Sequence, residues 1–322
     1  MYIFAETFNI IYMTDVQKMV QLFKDKRYLR HMSSKNISKR THISLEDITS
    51  ARKIINDQKR SVINNHAKIL IFDIETTPLK AYVWRRWNQN IYLDQTISEW
   101  YMLSWSAKWL NHPEVMSEIL TPHEIFNEDD SRIIKKLWLL LDAADIVIAH
   151  NGKKFDVPKM NARFILNNLP PTSPYIQIDT KEIAAKQFGF SSNKLDALAG
   201  YFNIEHKDET DFKLWSRCMK GDEESLNYMR KYNNKDVLIL QQVYLKLRPW
   251  IKNHPNVGLY SQLIDYPLCP TCGGHHMVDD NSYYYTAVNK YRVMRCTNCN
   301  ALARVRNTSI PKEDKKNVIV SI

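Results

Sequence analysis

Two groups of side chains in this sequence could do chemistry, and the first is acidic. FDIETTP puts Asp73 and Glu75 two residues apart at the end of an apolar run. A strand's period of two places both on one face. AHNGKKFDVP sets Asp156 behind a loop at the start of a helical stretch, and KYNNKDV holds Tyr232 and Asp236 four apart. That spacing puts the tyrosine and the aspartate on one face of a helix. Asp179, in YIQIDTKEIA, heads another helix and reads as its cap more readily than as a further ligand. Carboxylates gathered at a strand end repel each other unless a divalent cation neutralises them, and hard oxygen ligands suit Mg²⁺ or Mn²⁺. Each fragment alone also has an ordinary reading as a strand end, a surface helix or a cap. Their joint occurrence on matching elements sets them apart.

The second group is Cys269-Pro-Thr-Cys272 and Cys296-Thr-Asn-Cys299, enclosing the 23 residues 273–295. Four thiolates from two C-x-x-C knuckles bind one Zn²⁺ tetrahedrally and leave no open position, so the metal is structural. The spacer is slightly longer than usual. It contains YYYTAVNKYRVMRC, a strand-rich hairpin, and the whole segment resembles a zinc ribbon. His275 and His276 could compete as ligands, but four cysteines suffice. Tyr283, Tyr284, Tyr285 and Tyr291, with Arg292, Arg295, Arg304 and Arg306, could stack bases and contact phosphates. The remaining cysteine, Cys218, reads as a small core residue.

These groups need elements to hold them. KILIFDIETT and DIVIAHNG read as buried strands, and WYMLSWSAKWL alternates with Tyr101, Leu103, Trp105, Ala107 and Trp109 on one side. EVMSEIL and YIQIDT read as further strands. SRIIKKLWLLLDAA, FDVPKMNARFILNN, KEIAAKQF, NKLDALAGYF and EESLNYMRKYNNKDVLILQQVYLKLRPW read as helices. The order predicts an α/β fold, a mixed sheet with flanking helices. Ahead of it, Val16, Met19, Val20, Leu22 and Phe23 recur at helical spacing. A helix capped at Ser44, with Asp47 completing a weak capping box, would bury Ile48, Ala51, Ile54 and Ile55. Helix, short turn and basic helix resemble a helix-turn-helix, and a plain helical bundle fits the same pattern. The expected organisation is a helical, helix-turn-helix-like domain over 1–66, the α/β domain over 67–252, a linker over 253–267, the zinc ribbon over 268–308 and a tail over 309–322.

Composition narrows the function classes. Only 7 of 322 residues are glycine. Neither G-x-G-x-x-G nor G-x-x-x-x-G-K-[ST] occurs, which argues against Rossmann dehydrogenases and P-loop motors. The net charge of +10 is uneven: residues 1–66 carry +6, 67–267 carry 0 and 268–322 carry +4. Basic ends around a neutral centre suit a polyanion such as nucleic acid. No apolar run spans a bilayer, and the N-terminus lacks the basic region and cleavage site of a signal peptide. Met13 offers an alternative start. With paired C-x-x-C motifs, the chain reads as a cytoplasmic protein of a reducing compartment, without membrane partners.

ILIFDIETT, HNGKKFD and YNNKD resemble the three exonuclease motifs of the DEDD superfamily, the 3′–5′ exonucleases with a ribonuclease H-like fold. The tyrosine four residues before the last aspartate resembles the tyrosine-bearing branch, which includes the proofreading domains of B-family DNA polymerases. The resemblance covers roughly residues 67–250. With a helical head and a zinc-ribbon tail, the arrangement is similar to stand-alone exonuclease-like proteins of phages and bacteria. It implies that Asp73 bridges two metal ions, that Glu75 and Asp236 complete the site for the metal activating water, that Asp156 holds the second metal, and that Tyr232 orients the water. Two cations ~3.5–4 Å apart would stabilise both the attacking and leaving oxygens of an in-line displacement, releasing 5′-nucleotides from a 3′ end. Thr76 and Thr77 would contact the terminal nucleotide, Asn151 and Phe155 would bond and stack there, and His150 would either touch phosphate or be a histidine satisfied within its loop. DNA is the expected substrate. The alternatives are an RNA exonuclease of the same chemistry and a non-enzymatic DNA-binding or regulatory protein on an inactive scaffold. The presence of all four acids and Tyr232 speaks against the latter.

Overall fold

The spacing of Met19 and Phe23 forms the first helix, α1 (Asp15–Asp25), and both side chains are fully buried. A computed structural model describes residues 14–25, 29, 32–52, 67–261 and 267–320 and divides the chain into two compact units, Met1–Asn65 and His66–Ile322. In the first unit α2 (Ser34–Thr41) is capped by Ser33 and ends at His42, whose φ of 59° breaks the helix. Residues 45–52 form α3. Its cap is the expected one: the Ser44 hydroxyl oxygen accepts from Asp47 N at 3.0 Å. Met19, Phe23, Leu29, Ile37, Ile43, Ile48 and Ala51 make one small core. Ile54 and Ile55 lie outside the described residues.

In the second unit, β1 (Ile69–Thr76) is the central strand of a five-stranded mixed sheet. Its neighbours come from β4 (Met102–Trp109), β5 (Met116–Ile119), β6 (Ile146–Ala149) and β7 (Ile176–Asp179). The order is β5-β4-β1-β6-β7. β4 runs antiparallel to β1 and to β5, whereas β1, β6 and β7 are parallel. Two short strands, β2 (Lys80–Ala81) and β3 (Thr96–Ser98), pair outside this sheet and carry the loop 82–95 between them.

The helices fall on both faces of the sheet. They are α4 (Pro122–Phe126), α5 (Ser131–Ala143), α6 (Asp156–Leu166), α7 (Thr180–Gln187), α8 (Leu195–Tyr201), α9 (Phe212–Cys218) and the long α10 (Glu223–Leu247). Alternation along β1 divides the core in two. Leu70, Phe72 and Ile74 pack with Ile133, Leu137 and Leu141 of α5, and Ile69 and Ile71 pack with Leu198 of α8 and Leu240 and Val243 of α10. Asp73 and Glu75 continue the second series, so the strand's period aims them at the face that α10 covers. The helices α4 and α9 are additions to the sequence reading. Cys218 is buried in the core, as expected.

One partly buried ion pair braces the helix that carries Asp156. Arg163 of α6 donates to Asp130 from Nε at 2.6 Å and from Nη2 at 2.7 Å, and Asp130 also accepts from Met102 N at 2.9 Å. α6 is thereby tied to the start of α5 and to the entry of β4.

The cysteine-bearing segment belongs to the second unit. β8 (Met277–Tyr285), β9 (Lys290–Cys296) and β10 (Leu302–Arg304) form an antiparallel sheet in the order β10-β9-β8. The described part of the expected linker makes specific contacts. Val257 is buried in the core beside Val243 and Tyr244, and its N–H donates to Pro270 O at 2.7 Å. His254 Nδ1–H donates to Pro255 O at 2.8 Å, which leaves Nε2 to accept from the Tyr244 hydroxyl at 3.0 Å. Apolar burial and these bonds seat the segment on the end of α10.

Candidate active site

The last residues of β1 meet the middle of α10 in a polar gap between sheet and helix. Asp73 lies opposite Ser106 of β4 and Glu75 opposite Ser104. These small residues let α10 approach: Ser104 Oγ donates to Asn233 Oδ1 at 3.4 Å and Ser106 Oγ to Asn234 Oδ1 at 2.7 Å. Asn233 in turn donates from Nδ2 to Asp73 Oδ2 at 2.7 Å. Carboxylate oxygens of Asp73, Glu75 and Asp236 all lie within 4.8 Å of one another. Asp156, buried at the head of α6, accepts from Ile74 N at 3.3 Å through Oδ1 and stands outside that tight set while still acting electrostatically on Asp73 and Glu75.

This density of buried negative charge disfavours ionisation. Burial, then Asp156, Glu75 and Asp236, pushes Asp73 well above its ordinary range. Glu75 is pushed up to about 8, first by burial and then by Asp236, and burial raises Asp156 to about 7. Tyr232 is raised to about 12 by burial and by the Asp236 charge, so its phenol keeps its proton and acts as a neutral donor. Its ring meets that of Trp215 edge-on, with centroids 6.5 Å apart.

Glu75 should make the stability of the metal-free fold depend on pH. Its folded-state pKa lies above the unfolded value, so the metal-free fold binds this proton more tightly than the unfolded chain does. The stability contributed by that proton is present below pH ~4.5 and is lost as pH rises to ~8. Denaturation midpoints measured in EDTA should fall across this window, and Glu75→Gln should flatten the fall.

A divalent cation fits these donors. Asp236 Oδ1 is buried without a hydrogen-bond partner, while Asp236 Oδ2 is paired with the Lys207 ammonium at 2.6 Å. An unpartnered carboxylate oxygen beside two further carboxylates is a hard-oxygen donor set of the kind Mg²⁺ and Mn²⁺ take.

The other expected contacts are distributed differently. Thr76 and Thr77 line a cavity of about 640 Å³ together with Trp100, Lys159 and Trp215. The Thr77 hydroxyl oxygen accepts from Tyr101 N at 3.0 Å, so it also fastens β1 to the start of β4. Phe155 is exposed near Lys159, whose ammonium lies 5.4 Å from its ring centroid and 3.6 Å from that of Trp100. Asn151 has a φ of 71°, and its N–H donates to Asp179 Oδ1 at 3.0 Å. Both His150 nitrogens are engaged: Nε2 donates to Asn193 O at 3.0 Å, and Nδ1 accepts from Thr180 Oγ1 at 2.9 Å. Burial lowers this imidazole to about 4, so it is neutral. Asp179 caps α7, accepting from Lys181 N and Glu182 N, which is the reading its position suggested. Gly152 is needed for close approach, since a Cβ there would lie 2.4 Å from Ala149 Cβ. The turn can therefore fold onto β6 and deliver Phe155 and Asp156.

Two contributors are additions to the sequence reading. Asn233 had a visible signal: Met229, Asn233, Asp236 and Leu240 recur on the inward stripe of α10, where an asparagine is out of place without a partner. Lys207 had none, because it sits in the stretch between α8 and α9. Its ammonium neutralises Asp236 and lies 5.2 Å from the Tyr232 ring centroid.

The four expected cysteine sulfurs form a second cluster. Cys269 and Cys299 are 3.7 Å apart, as are Cys272 and Cys296, and all are free thiols. Tetrahedral zinc with Zn–S bonds of about 2.3 Å has sulfur–sulfur edges of about 3.8 Å, so the set fits the ion. The two knuckles are alike: Gly273 N donates to Cys269 O and Asn300 N to Cys296 O, each at 2.8 Å. Gly273 and Asn300 both take positive φ, 74° and 62°. His275 and His276 are exposed and are not among the four clustered ligands. The neighbouring aromatics carry cations already: Lys290 lies 3.7 Å from the Tyr283 centroid, and Arg304 lies 4.1 Å from that of Tyr291.

Residues 70–248 match a family model described as the RNase_H superfamily. No curated protein matches. The chain is similar in structure to the family B DNA polymerase from the hyperthermophilic archaeon Pyrobaculum calidifontis, at 13% sequence identity and a TM-score of 0.40. The likeness covers 57% of this chain and 26% of the polymerase, so this chain spans only a minor part of that protein's length. No helix among the described residues is long and apolar enough to cross a membrane.

Proposed function

The chain belongs to the RNase_H superfamily, and from that premise we propose that it is a metal-dependent 3′–5′ exonuclease of the tyrosine-bearing DEDD type, acting on DNA ends. The observation that carries this reading is the meeting of Asp73, Glu75 and Asp236 within 4.8 Å, with Asp236 Oδ1 buried and unpartnered. Asp73, Glu75, Asp156 and Asp236 would hold two Mg²⁺ or Mn²⁺ ions, which when bound supply an activated water and charge stabilisation at the phosphate. The protein's own groups do the rest. Asn233 fixes the Asp73 carboxylate through its 2.7 Å bond. Tyr232, protonated and buried against Trp215, offers its hydroxyl to orient the attacking water. Thr76, Thr77, Asn151 and Phe155 are assigned to the terminal nucleotide. His150, with both nitrogens engaged, holds the loop that carries Asn151 and Phe155 and leaves no ring nitrogen for the phosphate contact its position suggested. The four cysteines would hold one structural Zn²⁺, and the basic helical domain and the ribbon would grip nucleic acid.

The test is 5′-labelled single-stranded DNA and RNA incubated with Mg²⁺, Mn²⁺ or EDTA. A ladder shortening from the 3′ end, lost in EDTA and stronger on DNA, is the expected result. Tight binding without cleavage in any divalent metal would sink the enzymatic reading.

Lys207 gives a separate expectation. Its ammonium is the cluster's cation in the metal-free protein, so Lys207→Met should destabilise that form by about 1–3 kcal/mol, allowing for its partial exposure. The melting temperature in EDTA should fall, and Mn²⁺ should restore more of it than in the parent. Equal melting in EDTA would show that the pair contributes nothing.

A further inference from the structure

Between β2 and β3 the chain leaves the sheet as an arm with the sequence YVWRRWNQNIYLDQ, residues 82–95. Trp84 is 94% exposed, Leu93 90% and Trp87 77%, with Tyr82 and Tyr92 also exposed. So much aromatic surface in one stretch marks an interaction site. The arm is held in shape: Tyr82 N donates to Gln95 O at 2.9 Å, Tyr92 N to Gln95 Oε1 at 2.9 Å, and Arg85 Nη2 to Asn88 O at 3.0 Å. No ion pair engages Arg85 or Arg86 among the described residues. Both roots of the arm border one cavity next to the acidic cluster, since Leu79 before β2 and Trp100 after β3 line it together with Thr76 and Thr77, which follow Glu75 in the chain.

We propose that this arm is a stacking platform for single-stranded nucleic acid, holding unpaired bases of the strand whose 3′ end enters the carboxylate site. The proposal deepens the nuclease reading and rests on it. Trp84 and Trp87 flank two adjacent arginines, an arrangement that offers faces to bases and cations to phosphates along one strand. Bases within a duplex are already stacked and cannot use it. A protein partner would not require guanidinium groups without a carboxylate counter-charge between the rings, whereas a phosphate backbone supplies that counter-charge.

The test uses the full zinc-loaded chain without added Mg²⁺ or Mn²⁺ and without chelator, so that binding is read without cleavage, and fluorescein-labelled (dT)20 followed by anisotropy. The double variant Trp84→Ala/Trp87→Ala should weaken binding by about tenfold or more. Trp84→Phe/Trp87→Phe should restore most of it, and Phe126→Ala, at an equally exposed ring elsewhere, should leave it unchanged. An abasic 20-mer should bind parent and double variant alike. Unchanged (dT)20 affinity in the double variant, or an equal loss on the abasic strand, would overturn the proposal. Binding through both tryptophans with no hydrolysis in any divalent metal would keep the arm and remove the nuclease. Hydrolysis with an affinity indifferent to both tryptophans would keep the nuclease and remove the arm.

Discussion

Asp73→Asn should abolish metal-dependent hydrolysis while leaving the metal-free protein at least as stable as its parent. Asparagine keeps an oxygen to accept the Asn233 Nδ2–H bond, so the packing between β1 and α10 survives. It removes one charge from a cluster in which burial and three neighbouring carboxylates already push this carboxyl far up. In EDTA that change relieves repulsion, and the melting temperature should hold or rise. With Mg²⁺ or Mn²⁺ the outcome reverses. In the proposed site Asp73 would be a metal ligand; losing a catalytic metal would cost several kcal/mol of transition-state stabilisation, and each 1.36 kcal/mol is tenfold in rate. The expected loss on 5′-labelled single-stranded DNA is therefore about a thousandfold or more. The variant should also lose the gain in melting temperature that Mn²⁺ gives the parent. Retained cleavage with retained metal dependence would show that the reaction takes place elsewhere.

Replacing a cysteine of the second cluster should unfold the C-terminal sheet and spare the central one. Cys296 ends β9 and is fully buried with Cys269 at the base of the ribbon. The ribbon's core consists of its cysteines, Ala301 and the edge of Met277, far too little apolar surface to hold three strands by itself. Structural zinc contributes on the order of 10–16 kcal/mol in comparable peptides at neutral pH, and that binding energy is folding energy. Cys296→Ser should reduce zinc from one ion per chain to none. It should also erase amide protection over 277–304 while β1, β4 and α10 stay protected in hydrogen exchange. Full protection over β8 to β10 without bound zinc would assign the ribbon's stability to packing and refute the metal's role.

Much of both sites is legible in the sequence because the signals are local. A period of two along ILIFDIET divides the two halves of the core and aligns Asp73 with Glu75. A four-residue step on α10 aligns Tyr232 with Asp236, and two C-x-x-C knuckles define the sulfur cluster. The alternation of strand and helix signals specifies the mixed sheet, and Ser44 and Asp179 act as caps where their positions suggested. What the sequence left open depends on partners distant in the chain. Nothing local says that Lys207 crosses to Asp236, or that His150 spends both nitrogens on Thr180 and Asn193. Nothing local shows that the tryptophans of the 82–95 arm stay in solvent, since tryptophan is on average a largely buried residue. Periodicity encodes which face of an element is buried. Which charge compensates a buried carboxylate, and which aromatic surface finds no cover, is decided only when separate elements are brought together in the tertiary fold.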